Sequence, residues 1–248
     1  MKPFIIATTL ILLPFAAAHS WVHCIDHDNK DILEWMKANA TKYGKEMIID
    51  PLMPWYAHLC HGWPRFKQNP GDWVDETITY LWDLEGAAGK KDIHACHPDQ
   101  RNPTYHLIAP DAKLPHHSNS APMATATAGA SIKLMFGGNG HSRGSSAGGK
   151  GDPGKVAIYW AGEKEKELVN VSELTPDTLV QENGFSEESF AFPADLNVWT
   201  PPQGLFDKGN WQTLRLPECM EKGRHMMVWV WSFGGKARFS TCFDVMIK

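Results

Sequence analysis

The run His225-Met-Met-Val-Trp-Val-Trp-Ser-Phe233, followed after a Gly-Gly-containing turn by Phe239-Ser-Thr-Cys-Phe-Asp-Val-Met-Ile247, decides the fold class. Both stretches are short, rich in aromatic and β-branched residues, and bounded by glycine, which is the composition of buried strands. Working outward, residues 131–136, 155–160 and 211–216 are further short alternating or apolar runs, separated by Gly, Pro and Asn clusters. Several short strands with turn signals between them predict an all-β chain, an immunoglobulin/fibronectin-like β-sandwich. Trp229 and Trp231 are expected in its core.

The preceding half is irregular. Pro51, Pro54, Pro64, Pro70, Pro98, Pro103, Pro110 and Pro115 break any long element between residues 19 and 120, so long irregular loops are expected there. One or two short helices are expected in this half. The clearest runs over 31–42, with Asp28 or Asn29 as cap and Ile32, Trp35, Met36 and Asn39 on one face.

Residues 1–18 read as a secretory signal peptide. Lys2 is the positive end, residues 4–15 form the apolar run, and Ala16-Ala17-Ala18 supply the small residues before the cut. The run is too short for a bilayer, which needs about 20 apolar residues. Residues 19–248 are then expected to form one secreted domain, acting as a monomer without a membrane partner. The chain has 248 residues, a formal net charge of −4 and five cysteines. The mild acidity argues against nucleic acid as a partner.

An oxidising compartment turns cysteines into disulfides. Three echoes, His23-Cys24 with His27, His58-Leu-Cys60-His61 and His94-Ala-Cys96-His97, allow two readings. One is a Cys/His zinc cluster. The favoured one is disulfides beside surface histidines, with Cys60–Cys96 as the natural bridge and Cys24 left over. The sequons Asn39-Ala-Thr41 and Asn170-Val-Ser172 fit a secreted glycoprotein.

Cleavage after Ala18 makes His19 the N-terminus. A terminal histidine chelates through its free amine and its Nδ1, and one more imidazole would complete a three-nitrogen site suited to copper. His141 is the candidate, in Gly137-Gly-Asn-Gly-His141-Ser-Arg-Gly144 between two predicted strands.

Three features in order, the N-terminal His19, the Gly-His loop at 137–141, and Trp229-Val-Trp231 followed by Phe239-Ser-Thr-Cys242-Phe-Asp244-Val, resemble the lytic polysaccharide monooxygenases, copper enzymes with a histidine brace. The resemblance covers His19 and roughly residues 131–160 and 211–247. It implies one copper ion on His19 and His141, and Phe239 shielding the axial face where many members have Tyr. It also implies a Cys219–Cys242 bridge. The implied reaction is oxidative cleavage of glycosidic bonds, with an external electron donor and O2 or H2O2. Many members carry Gln or Glu at the place of Ala237; His225 and Arg238 are the weak candidates for that role.

Arg143, Lys150 and Lys155 in one loop, with Lys236 and Arg238 before Phe239, suggest a locally basic face on an acidic protein. Arg143, Lys236 and Arg238 are the candidate substrate residues, and the substrate would be an anionic polysaccharide such as pectin in plant cell walls. The opening His-Ser-Trp-Val-His-Cys and the Trp- and His-rich insert are similar to the pectin-active monooxygenases known from oomycetes. The rival readings are a non-catalytic copper-binding protein with the same brace, the zinc protein, and a hydrolase with paired carboxylates, for which no spacing singles out a pair.

Overall fold

The computed structural model describes residues 21–25, 60–66, 80–101, 122–136, 155–184, 211–233 and 237–248. The helix expected over 31–42 and the signal peptide lie outside them. The described residues build a β-sandwich of two sheets, as the strand pattern predicts.

The larger sheet grows from the two quoted runs. With strands numbered in chain order, Gly223–Phe233 is β8 and Ala237–Ile247 is β9, antiparallel and in unbroken register from Gly223↔Ile247 to Phe233↔Ala237. β5 (Lys155–Trp160) pairs with β8, and β6 (Leu179–Gly184) forms the far edge. On the other side β9 takes β2 (Trp82–Asp83), antiparallel at Ser240 and Phe239, and β3 (Ala124–Ala126), parallel at Val245–Ile247. The smaller sheet has the order β1 (Val22–Ile25), β4 (Ser131–Phe136), β7 (Trp211–Arg215), all antiparallel.

Side-chain alternation explains why β8 and β9 read as nearly continuous apolar runs. One face of the pair sends Met227, Trp229, Trp231, Phe239 and Phe243 toward Ile132, Leu134, Phe136 and Leu214 of the smaller sheet. The opposite face sends Met226, Val228, Val230 and Cys242 under Leu84, Ala95, Cys96 and Leu168. A sheet covered on both faces has no polar alternation. Trp229 and Trp231 are wholly buried. At roughly 25 cal/mol per Å2 over about 150–250 Å2 of side chain, each contributes about 4–6 kcal/mol of transfer free energy as an upper bound.

The cover on the outer face includes one short helix, α1 (Leu84–Gly89). Asp83 caps it by accepting the Gly86 N–H at 2.9 Å, and Leu84 and Ala87 are its buried residues. Across the open edge of the sandwich, Gln181 of β6 donates to Thr213 O at 2.8 Å and accepts from Arg215 N at 3.4 Å, tying the two sheets.

The cysteine pairing differs from the expectation. The disulfides are Cys24–Cys60 and Cys96–Cys242, and Cys219 is an exposed free thiol. Neither Cys60–Cys96 nor Cys219–Cys242 forms, and Cys24 is not the leftover. The reason is packing. Ile25 bridges Gly62, with Ile25 N donating to Gly62 O at 2.9 Å, which brings Cys60 beside Cys24. Cys242 points to the outer face of β9 among Ala95 and Cys96. Cys219 sits between β7 and β8, near the Gly223 end, whereas Cys242 pairs with Val228 further along the strand. With Cys24, Cys60 and Cys96 all oxidised, none offers a thiolate, so the zinc reading fails.

Candidate functional site

His19, His141, Arg143 and Lys236 lie outside the described residues. What the structure describes is the strands that flank these segments in the sequence. In the β1–β4 ladder Val22 stands opposite Phe136, with a bulge between Val22 and Cys24. Antiparallel pairing therefore sends the chain before Val22 and the chain after Phe136 from the same end of the sheet.

That end is joined to β9. Val22 N donates to Thr241 Oγ1 at 3.3 Å, and the same hydroxyl donates to Tyr80 O at 2.7 Å. Two residues from Thr241 on the same face, Phe239 stacks on Trp231 with ring centroids 5.7 Å apart and planes at 26°. Phe239 is only 9% exposed. Phe136 packs on Trp229 at 5.7 Å. The strand pattern thus aligns Val22, Phe136, Thr241 and Phe239 at one end of the sandwich.

Arg238 points the other way. Its Nε donates to Glu85 Oε1 at 2.8 Å, tying β9 to α1. Lys155 meets Glu182 at 3.1 Å. Two of the five loop cations thus have carboxylate partners, which lowers the local positive charge that the loop sequences suggest. His225 lies far from Phe239: it is six residues along β8 from Trp231, the partner of Phe239, about 20 Å at roughly 3.3 Å per residue. Its Nδ1 accepts the Trp160 indole N–H at 3.1 Å and its Nε2 donates to Glu221 O at 2.8 Å. Burial lowers its pKa.

Of the histidines in the three echoes, His27 and His58 lie outside the described residues, and His23, His94 and His97 each have partners of their own. His23 is buried against Trp21 at 5.1 Å. His94 Nδ1 meets Asp92 Oδ1 at 2.8 Å, while Arg101 bonds the other Asp92 oxygen at 2.8 Å and covers the Trp82 ring at 5.1 Å. Slight burial opposes the Asp92 charge, but the bonds from Arg101 and His94 outweigh it and hold the pKa down at about 2. His97 Nδ1 accepts the Asp99 N–H at 3.2 Å, and burial lowers the pKa of that imidazole. Among the described residues no group of three or more His, Cys, Asp and Glu side chains could hold a metal ion.

The sequence reading missed a buried ionic network on the outer face. Asp244 accepts Arg65 Nε at 2.8 Å and Arg224 Nη1 at 2.7 Å. Glu167 binds Arg65 Nη1 at 2.7 Å and Arg224 Nη2 at 2.7 Å, and Glu165 binds Arg224 Nε at 2.9 Å. Burial disfavours the Arg65 and Arg224 charges, but the carboxylates overcome it and raise both pKa values. The signal was present: Asp244 is a lone acid inside an apolar strand, and a buried acid demands a buried base. A cavity of about 110 Å3 adjoins the network, lined by Arg65, His94, Cys96, Arg101, Glu167 and Met226. The charged groups on its wall are already paired with one another or with Asp92 and Asp244.

No family model and no curated protein matches the chain. Solved structures similar to it include the glycoside hydrolase family 61 member Cel61B from Hypocrea jecorina, at 17% identity and TM-score 0.28 over 51% of this chain and 51% of that one. A lytic polysaccharide monooxygenase (AA10) from Streptomyces lividans is 14% identical over 52% of this chain and 60% of that one, with TM-score 0.29. The extended catalytic domain of LPMO9A from H. jecorina is 13% identical over 93% of this chain and 73% of that one, with TM-score 0.38. The chain spans about half the length of the first of these, at 51%.

Proposed function

We propose that this chain is a secreted copper-dependent monooxygenase that cleaves glycosidic bonds oxidatively, in one domain over residues 19–248. His19, through its amine and Nδ1, and His141 would hold one copper ion, and an amine with two imidazoles is a nitrogen set suited to copper. The observation that carries this reading is the Val22↔Phe136 pair. It starts the two segments that lead to His19 and His141 from one end of one sheet, three residues and five residues away. At about 3.3–3.6 Å per residue, both histidines are within reach of a common point. The Val22–Thr241 bond brings Phe239 to the same end, where an apolar ring would exclude water from one side of the metal.

Bound copper would supply one-electron redox chemistry toward O2 or H2O2, with electrons from an external donor. The chain's own contribution is to hold the ligands on a rigid two-sheet frame. Two disulfides suit an oxidising, extracellular setting. Among the described residues no helix is long and apolar enough to cross a membrane. For substrate we favour an anionic, pectin-like polysaccharide. That preference rests on Arg143, Lys150 and Lys236, because Lys155 and Arg238 already have carboxylate partners.

The test is a copper titration of protein beginning at His19 beside protein carrying one extra residue before it. The extra residue removes the terminal chelate, so affinity should fall by orders of magnitude; equal affinities sink the brace. Mass spectrometry of products from pectin, cellulose, xylan and chitin with a reductant then tests catalysis. Oxidised chain ends are expected. Hydrolysed ends overturn the mechanism, and tight copper binding without products favours the non-catalytic copper protein.

A further inference from the structure

Asn170 begins the sequon Asn170-Val-Ser172 and stands in extended backbone (φ −111°, ψ 152°) just before a 3-10 turn over Val171–Glu173. Ser172 is exposed and Asn170 half-buried. The backbone of Asn170 does the capping: its N–H donates to Glu173 Oε1 at 2.8 Å, and its carbonyl accepts the Glu173 N–H at 3.0 Å. A sugar on Nδ2 would break neither bond, and Oδ1 would still be able to accept.

The surface around Asn170 has a place for that sugar. Asn170 bridges His94, flanked by Ala95 N donating to Val169 O and Val171 N donating to Ile93 O, both at 2.8 Å. This is the non-hydrogen-bonded type of antiparallel pair, in which facing side chains are closest, with Cβ atoms about 4.5–5.5 Å apart. The His94 imidazole, 40% exposed, is held by Asp92 at 2.8 Å.

We infer that Asn170 is an N-glycosylation site whose first sugar packs against the imidazole of His94. The donor is a lipid-pyrophosphate-linked oligosaccharide of the secretory membrane. A bond forms between Asn170 Nδ2 and the anomeric carbon, the anomeric carbon–phosphate oxygen bond breaks, the lipid pyrophosphate leaves, and Nδ2 gives up one proton. This inference rests on the secretion part of the proposed function and is independent of copper.

The full chain is secreted from a eukaryotic host, once with its own leader and once with a heterologous one. Its peptides are treated with a peptide N-glycosidase in heavy-oxygen water and mapped. Asn170 should be recovered as labelled Asp with either leader; S172A and N170Q should lose the modification and S172T should keep it. An unlabelled Asn170 in protein delivered by the heterologous leader overturns the inference. Labelling with that leader alone overturns the signal-peptide reading instead and upholds the site. In an N39Q background, where Asn170 heads the remaining sequon, removing the sugar from folded protein should lower Tm, and the shift should vanish in H94A. An unchanged Tm overturns the packing on His94.

Discussion

Val22 faces Phe136 across the β1–β4 ladder, and the ring of Phe136 packs on Trp229 of the opposite sheet at 5.7 Å. This buried aromatic contact helps anchor the end of the sandwich from which the segments toward His19 and His141 start. Phe136→Ala should cost about 3–5 kcal/mol, the range for deleting a core aromatic. Urea unfolding measures it. Copper affinity of the folded fraction should drop as well; a destabilised variant with unaltered copper binding would separate this contact from the site.

Asp244 pairs with Arg65 and Arg224 at once, inside a sheet face closed to water. Removing one member of such a cluster strands the others, at about 3–5 kcal/mol. Asp244→Asn should reach that range by chemical denaturation. Replacing Arg65, Arg224 and Asp244 together with apolar residues of similar volume should cost much less than the sum of the single changes. Additive losses would contradict coupling within the network.

His225 ties stability to pH. Its neutral form, with Nδ1 accepting from Trp160 and Nε2 donating to Glu221 O, is the one the fold uses. Burial lowers its folded pKa below the ordinary 6.5, an effect larger than the raising pulls of Glu221 and Glu165 and joined by the lowering field of Arg224. Between the folded and unfolded pKa values the unfolded chain binds more protons, so stability rises with pH there. His97 shifts the same way. Stability should therefore fall as pH drops below about 6.5. In His225→Gln the slope of Tm against pH should flatten, and an unchanged slope would remove His225 as its source.

One thiol should react with a cysteine reagent in native protein, at Cys219. Cys219→Ser should leave stability unchanged and abolish that reaction. Cys242→Ser should cost about 2–5 kcal/mol by opening the Cys96 bridge. Peptide mapping without reduction should recover Cys24 joined to Cys60; a Cys60–Cys96 peptide would refute the pairing.

The order of amino acids by itself determined the sandwich. Runs 131–136 and 155–160 coincide with β4 and β5, and the three C-terminal runs coincide with β7, β8 and β9 to within two residues, because each carries enough apolar and β-branched side chains between glycines and prolines. Strands that borrow their stability from neighbours were not legible. β1 is four residues buried on both faces, β2 only two, and the Leu-Val-Gln-Glu-Asn-Gly of β6 is mostly polar. Only the tertiary structure decided which cysteines meet, that Phe239 stacks on Trp231, that Arg238 reaches Glu85, and that Asp244 holds two arginines. These contacts link residues up to 179 positions apart, as in Arg65–Asp244. Periodicity reports which face a side chain takes, whereas sheet order and register choose what lies across from it.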